Sequence, residues 1–249
     1  MLQEFIIVGR SWKQARGLNQ QYKLLKEMIL PGIVYALLFL LGMYFFFKSA
    51  NGVTEWIGDS LGLADWLQRE RSEWLSFLFV MNGMMLQLLL VLVYFSWFKY
   101  AILIIGSPLF TYVSEKTEVL VDGQEHSFQW KEVRADAIRG IGLAMRNAGW
   151  QTVYLAALIL LTFIPVVGWI TPLIAIALEC YYFGFSMLDY SLARVGYDRE
   201  QSFRFVQAHK GLAIGTGFVF LAMHILLPFA PVYAIISATL SIQSIKRAT

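Results

Sequence analysis

Residues 74–113 read WLSFLFVMNGMMLQLLLVLVYFSWF, then Lys99, then YAILIIGSPLFTYV. These 40 residues carry a single charge. The part before Lys99, residues 74–98, gives about 37 Å of helix at about 1.5 Å per residue, against a hydrocarbon core of about 30 Å. A soluble domain of this size has no use for such a helix. Trp74 stands near one end and Tyr94, Trp97 and Tyr100 near the other, where amphipathic rings favour headgroup depth. The chain therefore reads as an integral membrane protein with a full span at 74–98. Gly106-Ser107-Pro108 then breaks the run before the polar segment that follows Val113.

Composition agrees. Of 249 residues, 58% are hydrophobic and only 15% charged, which excludes a disordered or ordinary soluble chain. A net charge of +3 is too small to point to nucleic acid. The one cysteine, Cys180, lies inside an apolar stretch and supports neither a disulfide framework nor a metal cluster. Residues 1–27 are polar and basic, without the apolar core or cleavage site of a signal peptide, so the first span is expected to direct insertion.

Outward from the deciding stretch, residues 2–16 predict a basic amphipathic helix. Phe5, Val8, Trp12 and Ala15 recur at helical spacing among Arg10, Lys13 and Arg16, a pattern suited to the membrane surface. Gly17-Leu18-Asn19 is the expected break. Residues 28–47 form the other full span, with Pro31 in its first turn, where a missing N–H costs little. The connection at 48–73 holds Lys48, Arg69 and Arg71 against Glu55, Asp59, Asp65, Glu70 and Glu73, whereas the N-terminal segment is richer in lysine and arginine. The basic side marks the cytoplasm, so the N-terminus is inside and 48–73 outside. Residues 114–149, with Lys116, Lys131, Arg134, Arg139 and Arg146, return to the cytoplasm, and a second amphipathic helix is expected at 133–148.

Two apolar blocks follow, at 150–188 and 212–242, interrupted by Pro165 to Pro172 and by Pro228 to Pro231. Each uninterrupted arm is short of a crossing, the broken tips carry no charge, and both flanks of each block are basic. The economical architecture is two helical hairpins that enter from the cytoplasmic face and turn within the membrane, their tips covered by protein or by a wet cavity. The rival is four further short spans, six in all. Gly211 and Gly215 have the spacing that lets helices approach closely. The fold class is thus all-α: two full transmembrane helices, two partly penetrating hairpins and cytoplasmic amphipathic helices, in one domain over 1–249.

Several residues stand out chemically. Lys23 and Lys26, at a helix start, offer cations and backbone N–H groups to an anion, or are ordinary flanking charges. Lys99 either faces a pathway or snorkels to the interface. Glu179 is the acidic group inside a hairpin arm, either functional or a buried partner for Lys99 or a histidine. His224 reads as a packing residue, and three widely spaced histidines predict no metal site. No phosphate loop, nucleophile elbow or HExxH is present, so no enzymatic activity and no cofactor are expected, and transport would be passive or coupled to an ion gradient.

Four collinear stretches resemble one family. They are Ser107-Pro108-Leu109 with Ser114-Glu115-Lys116-Thr117-Glu118; Phe163-Ile164-Pro165-Val166-Val167-Gly168 with Pro172; Leu188-Asp189-Tyr190; and Leu227-Pro228 through Pro231 to Ala238-Thr239. Together they resemble the bacterial CysZ sulfate-permease family, which belongs with the etoposide-induced-protein domain of eukaryotes. The resemblance implies two long membrane helices with two partly penetrating hairpins, an oligomer in the inner membrane with both termini cytoplasmic, and uptake of sulfate or a similar inorganic anion. It makes Pro108, Glu115, Glu118, Pro165, Gly168, Asp189 and Pro228 structural family positions. The family's Gly-Leu/Ile-Arg-Arg pattern before the first span falls on Lys23, Leu24, Leu25 and Lys26 here, so the paired arginines suited to a tetrahedral oxyanion are replaced. A non-transporting membrane scaffold with the same fold is the alternative function.

Overall fold

The computed structural model describes residues 2–22, 29–60, 73–122, 130–164, 166–224 and 230–246. No strand occurs among them. In chain order the helices are α1 (Leu2–Tyr22), α2 (Ile29–Ser60), α3 (Glu73–Ile105), α4 (Ser107–Asp122), α5 (Trp130–Thr162), α6 (Thr171–Arg194), α7 (Arg199–Ala208), α8 (Lys210–His224) and α9 (Ala230–Lys246), with a single 3-10 turn at Val167–Trp169 between α5 and α6.

Helix α6 is the centre. It packs on α3, α4, α5, α8 and α9, and every residue from Phe183 to Leu192 is buried. A helix that is apolar all round satisfies its surface only when covered all round. Pro172 in its first turn removes an N–H that has no intrahelical acceptor there.

Helices α5 and α6 form an antiparallel hairpin whose register is fixed by polar pairs. Thr162 meets Thr171 with hydroxyls 2.9 Å apart, Gln151 reaches Glu179 at 2.6 Å, and Asn147 donates to Ser186 at 3.3 Å. Much of the tip's backbone bonds within the tip itself. Phe163, Ile164, Gly168, Trp169 and Ile170 donate their N–H groups to carbonyls at positions 160, 161, 164, 166 and 167. Thr171 Oγ1 also donates to Gly168 O at 2.7 Å. A Cβ at Gly168 would lie 2.5 Å from Thr162 O, so the turn closes only with glycine there.

The second hairpin, α8 with α9, crosses α6 at backbone contact. A Cβ on Gly184 would lie 1.9 Å from Ala213 O, and one on Gly217 would lie 1.8 Å from Cys180 O. The close approach therefore uses Ala213 and Gly217 against α6, whereas Gly215 faces Phe5 and Val8 of α1. Pro228, between α8 and α9 in the sequence, lies outside the described residues.

Several elements differ from the sequence reading. Helix α1 runs through Gly17-Leu18-Asn19 unbroken, because Asn19 donates to Tyr233 OH at 3.0 Å and Leu18 packs on the core, which holds the last turn on α9. The apolar face named from sequence is largely spent on protein: Val8, Trp12 and Ala15 are buried against α8 and α9, and Trp12 stacks on Tyr233, while Arg10, Lys13 and Arg16 point outward. The segment expected as a full span at 28–47 lies in helix α2, which runs on to Ser60 since no proline follows Pro31 within it. Among the described residues only Phe39–Ser49 stands out there as an apolar helix, too short for a crossing, so α2 is not shown to be a full span. Helix α3 extends the 74–98 span to Ile105 before the expected break at Gly106. The helix expected at 133–148 and the arm starting at Trp150 are one 33-residue helix, α5, because a lone Gly149 with open space around it weakens a helix without breaking it.

These lengths bear on the membrane. Among the described residues, Glu73–Ile105 and Val167–Ala193 are each long and apolar enough to cross, and a third candidate arises if α7 and α8 count as one bent span. Helix α6, whose 24 residues give about 36 Å, is thus longer than the short arm expected there and long enough for a crossing. Trp97 is 62% exposed, as the sequence reading requires, but Tyr100 is 4% exposed and buried in protein rather than standing at headgroup depth.

Candidate functional site

Lysine 99 sits on a helix with almost no other charge, so its ammonium needs a partner or water. It finds both partners inside the protein. Lys99 Nζ is 2.6 Å from Glu179 Oε2 on α6 and donates to Gln151 Oε1 on α5 at 3.0 Å. Gln151 Nε2 donates to the other carboxylate oxygen, Glu179 Oε1, at 2.6 Å. Tyr100 OH donates to Gln151 Oε1 at 2.7 Å, and the ammonium lies 4.6 Å from the Tyr100 ring centroid. Ser96, one turn back on α3, hydrogen-bonds Glu179 as well. Lys99 is 3% exposed, Glu179 1% and Gln151 0%.

The sequence reading offered Lys99 a pathway or a snorkelling role, and offered Glu179 a place as its partner. The two are partners, and Lys99 does not snorkel. A buried ion of either sign costs several kcal/mol unless paired and hydrogen-bonded. Here both carboxylate oxygens are engaged and the bridging amide ties the third helix to the pair. The sequence reading does not single out Gln151 or Ser96, and it places Tyr100 at the interface instead. The available signal was that Gln151 is a polar side chain opening an otherwise apolar arm, matched across the hairpin by Glu179.

In this arrangement the cluster joins α3, α5 and α6 through one buried polar network. An oxyanion reaching it would compete with Glu179 for the same donors, Lys99 and Gln151.

A second polar centre lies toward the other end of α6. Arg139 Nη2 donates to Asp189 Oδ1 at 2.8 Å and to Ser202 Oγ at 2.6 Å, and Arg139 also donates to the Tyr197 carbonyl. It ties α5, the end of α6 and the start of α7 together. Asp198 caps α7, accepting from Gln201 N at 2.7 Å while Gln201 Oε1 accepts from Asp198 N at 2.8 Å. Beside it, Ser114, Ser191 and Thr239 join α4, α6 and α9 through buried hydroxyls, with Ser191 and Thr239 2.8 Å apart.

The other named residues distribute as follows. Pro108 is exposed in the first turn of α4, Glu115 is buried, and Glu118 is half-buried. Asp189 is in the Arg139 centre and Gly168 in the hairpin tip. Lys23, Lys26, Pro165 and Pro228 lie outside the described residues, as does the His224 side chain. The structure therefore unites Lys99 with Glu179 and leaves Glu115, Gly168 and Asp189 at separate packing points. Among the described residues no three His, Cys, Asp or Glu side chains group as metal ligands would.

Comparison with known proteins adds to this geometry. Over 113 residues the chain is 35% identical to the sulfate transporter CysZ of Pseudomonas aeruginosa PAO1, covering 44% of this chain and 46% of that protein. Over 128 residues it is 29% identical to the sulfate transporter CysZ of Pseudomonas fluorescens Pf0-1, covering 51% of each. Each alignment thus spans about half the length of the relative. A family model described as sulfate transporter CysZ/etoposide-induced protein 2.4 matches residues 10–237. A match of that extent, running from α1 into α9 across both hairpins and the buried site, makes this chain a member of the sulfate transporter CysZ/etoposide-induced protein 2.4 family.

Proposed function

We propose that the chain is a membrane permease for a small inorganic oxyanion of the sulfate type, with no nucleotide-driven step. The observation that carries this reading is the Lys99–Gln151–Glu179 network, held by three apolar helices in a member of this family. Ionisable groups at such a place are expensive, and a packed apolar contact would hold the helices as well. In the proposed cycle a permeating oxyanion takes the place of the Glu179 carboxylate on Lys99 and Gln151, the network opens, and the carboxylate returns once the anion leaves. Flux is passive or coupled to an ion gradient. Lys23 and Lys26, which precede α2 in the sequence, are proposed as anion contacts on the cytoplasmic side.

The proposed setting is the inner membrane, with both termini cytoplasmic, lipid around the helices and several copies of the chain per assembly. The α5–α6 tip is proposed to turn inside the bilayer. Two features support this. Five of its backbone N–H groups are bonded internally, as hydrocarbon favours, and Phe163, Ile164, Val166 and Ile170 expose apolar side chains. Helix α1 is proposed to keep its basic face at the membrane surface while its apolar face holds α8 and α9.

A second reading has one specific observation in its favour. The paired arginines of the family pattern are replaced at Leu25 and Lys26, and Lys99 is already paired with a carboxylate. A fold that keeps this network and has lost its anion contact serves as a membrane scaffold. Calorimetric titration of the purified chain with sulfate, using chloride and phosphate as competitors, separates the two. Saturable binding of sulfate that phosphate or chloride does not match supports the permease. Failure to bind any oxyanion supports the scaffold.

A further inference from the structure

Beside the corner between α7 and α8 lies a groove of about 500 Å³. Helix α7 exposes Arg199, Glu200, Arg204 and Gln207, whereas α8 is apolar, and the two axes meet at 87°. A polar helix lying across an apolar one at such an angle marks the level where water gives way to hydrocarbon. Lys210, the first residue of α8, stands at that corner. The groove is lined by Lys210 and Arg146 on its charged side and by Trp150, Tyr154, Tyr181 and Tyr182 on its apolar side, with no carboxylate in the lining. The Arg146 guanidinium is seated over the Phe203 ring at 4.6 Å, which fixes its position at the rim.

We propose that this groove binds the headgroup and upper acyl region of an anionic phospholipid. The two cations answer a phosphodiester, and tryptophan and tyrosine walls are the side chains that accept the boundary between headgroup and chain. A free inorganic oxyanion would use the cations and leave the aromatic walls and most of the volume without a partner. A zwitterionic lipid would bring a second, positive group to a lining that has no carboxylate for it. The site is distinct from the Lys99 network and does not depend on what the protein transports.

The test is thermal unfolding of the full chain in a non-ionic maltoside micelle, with dioleoylphosphatidylglycerol, dioleoylphosphatidylcholine or sodium sulfate added. Phosphatidylglycerol is expected to raise the midpoint, and the other two are not. In the Arg146→Gln/Lys210→Gln variant the phosphatidylglycerol concentration giving half the effect should rise about 25-fold, at about fivefold per cation. Both side chains are exposed, so the variant's midpoint without lipid should equal that of the parent. Native mass spectrometry of the same samples should show phosphatidylglycerol retained by the parent and lost from the variant. An equal response to phosphatidylcholine, a response unchanged in the variant, or a shift reproduced by sulfate alone would each overturn the assignment.

Discussion

Removing the charge of Lys99 without removing its bulk is the most informative perturbation of this fold. In Lys99→Met the Glu179 carboxylate loses a partner at 2.6 Å and Gln151 loses a donor at 3.0 Å, both in a site closed to solvent. Breaking a buried pair by removing one member costs about 3–5 kcal/mol. A neutral hydrogen bond between membrane helices, such as Asn147 to Ser186, contributes only about 0.6 kcal/mol, so the charge term decides the outcome. Glu179→Gln strands the ammonium instead and should cost about the same 3–5 kcal/mol. The double variant holds no stranded charge and should lie within about 2 kcal/mol of the parent, against about 6–10 kcal/mol if the two effects simply added. The assay is loss of helical circular dichroism as dodecyl sulfate replaces a non-ionic detergent. Uptake by the double variant should stay low even though its stability returns, because an oxyanion then has no ammonium to meet. A double variant as unstable as the sum of the singles would refute the reasoning, since the two side chains would then not be partners.

Three further outcomes follow from packing. Gly217→Ala places a methyl group 1.8 Å from the Cys180 carbonyl and should prevent α8 from seating on α6, whereas Gly149→Ala meets open space and should stabilise by about 0.5–1 kcal/mol; thermal midpoints of the two variants check this. Asp189→Asn leaves the Arg139 guanidinium without its carboxylate and should cost about 2–4 kcal/mol, read as a lower midpoint and earlier proteolysis at the α6–α7 connection. Cys180 is the only cysteine in the chain and is buried, so a Cys180→Ser background makes Val166→Cys a clean reporter. A tip held in the bilayer should resist a charged maleimide from both sides of the membrane, and labelling from the outer side would make α5 and α6 two full spans.

How far the sequence reached depended on what kind of signal each residue left. Lys99 and Glu179 are charges inside apolar runs, one of each sign, and their pairing is one of the alternatives the sequence leaves open. Gln151 and Ser96 are neutral, and neutral polar residues in apolar helices are common enough to pass unnoticed. Tyr100 was read as an interface anchor because its ring type suits that place, and only the packing of α5 against α3 turns it inward. The apolar face of α1 was legible at Val8, Trp12 and Ala15, but periodicity names a face and not its occupant. Two overlapping stripes of small residues run along α8, and Gly211 with Gly215 is the more obvious by composition. Helix α6 uses Ala213 and Gly217 instead, a choice made by the position of Gly184 on the facing helix. Helix ends were the least legible, since single glycines at 17 and 149 weaken a helix locally while tertiary contacts hold it together.

The central claim is oxyanion transport through a site locked by Glu179 on Lys99. Uptake of radiolabelled sulfate into proteoliposomes holding the purified chain tests it most directly. The account predicts saturable uptake above protein-free vesicles, altered in size or pH response by Glu179→Gln and abolished by Lys99→Met in protein that remains helical. Uptake no greater than in protein-free vesicles, from folded parent protein, would contradict it.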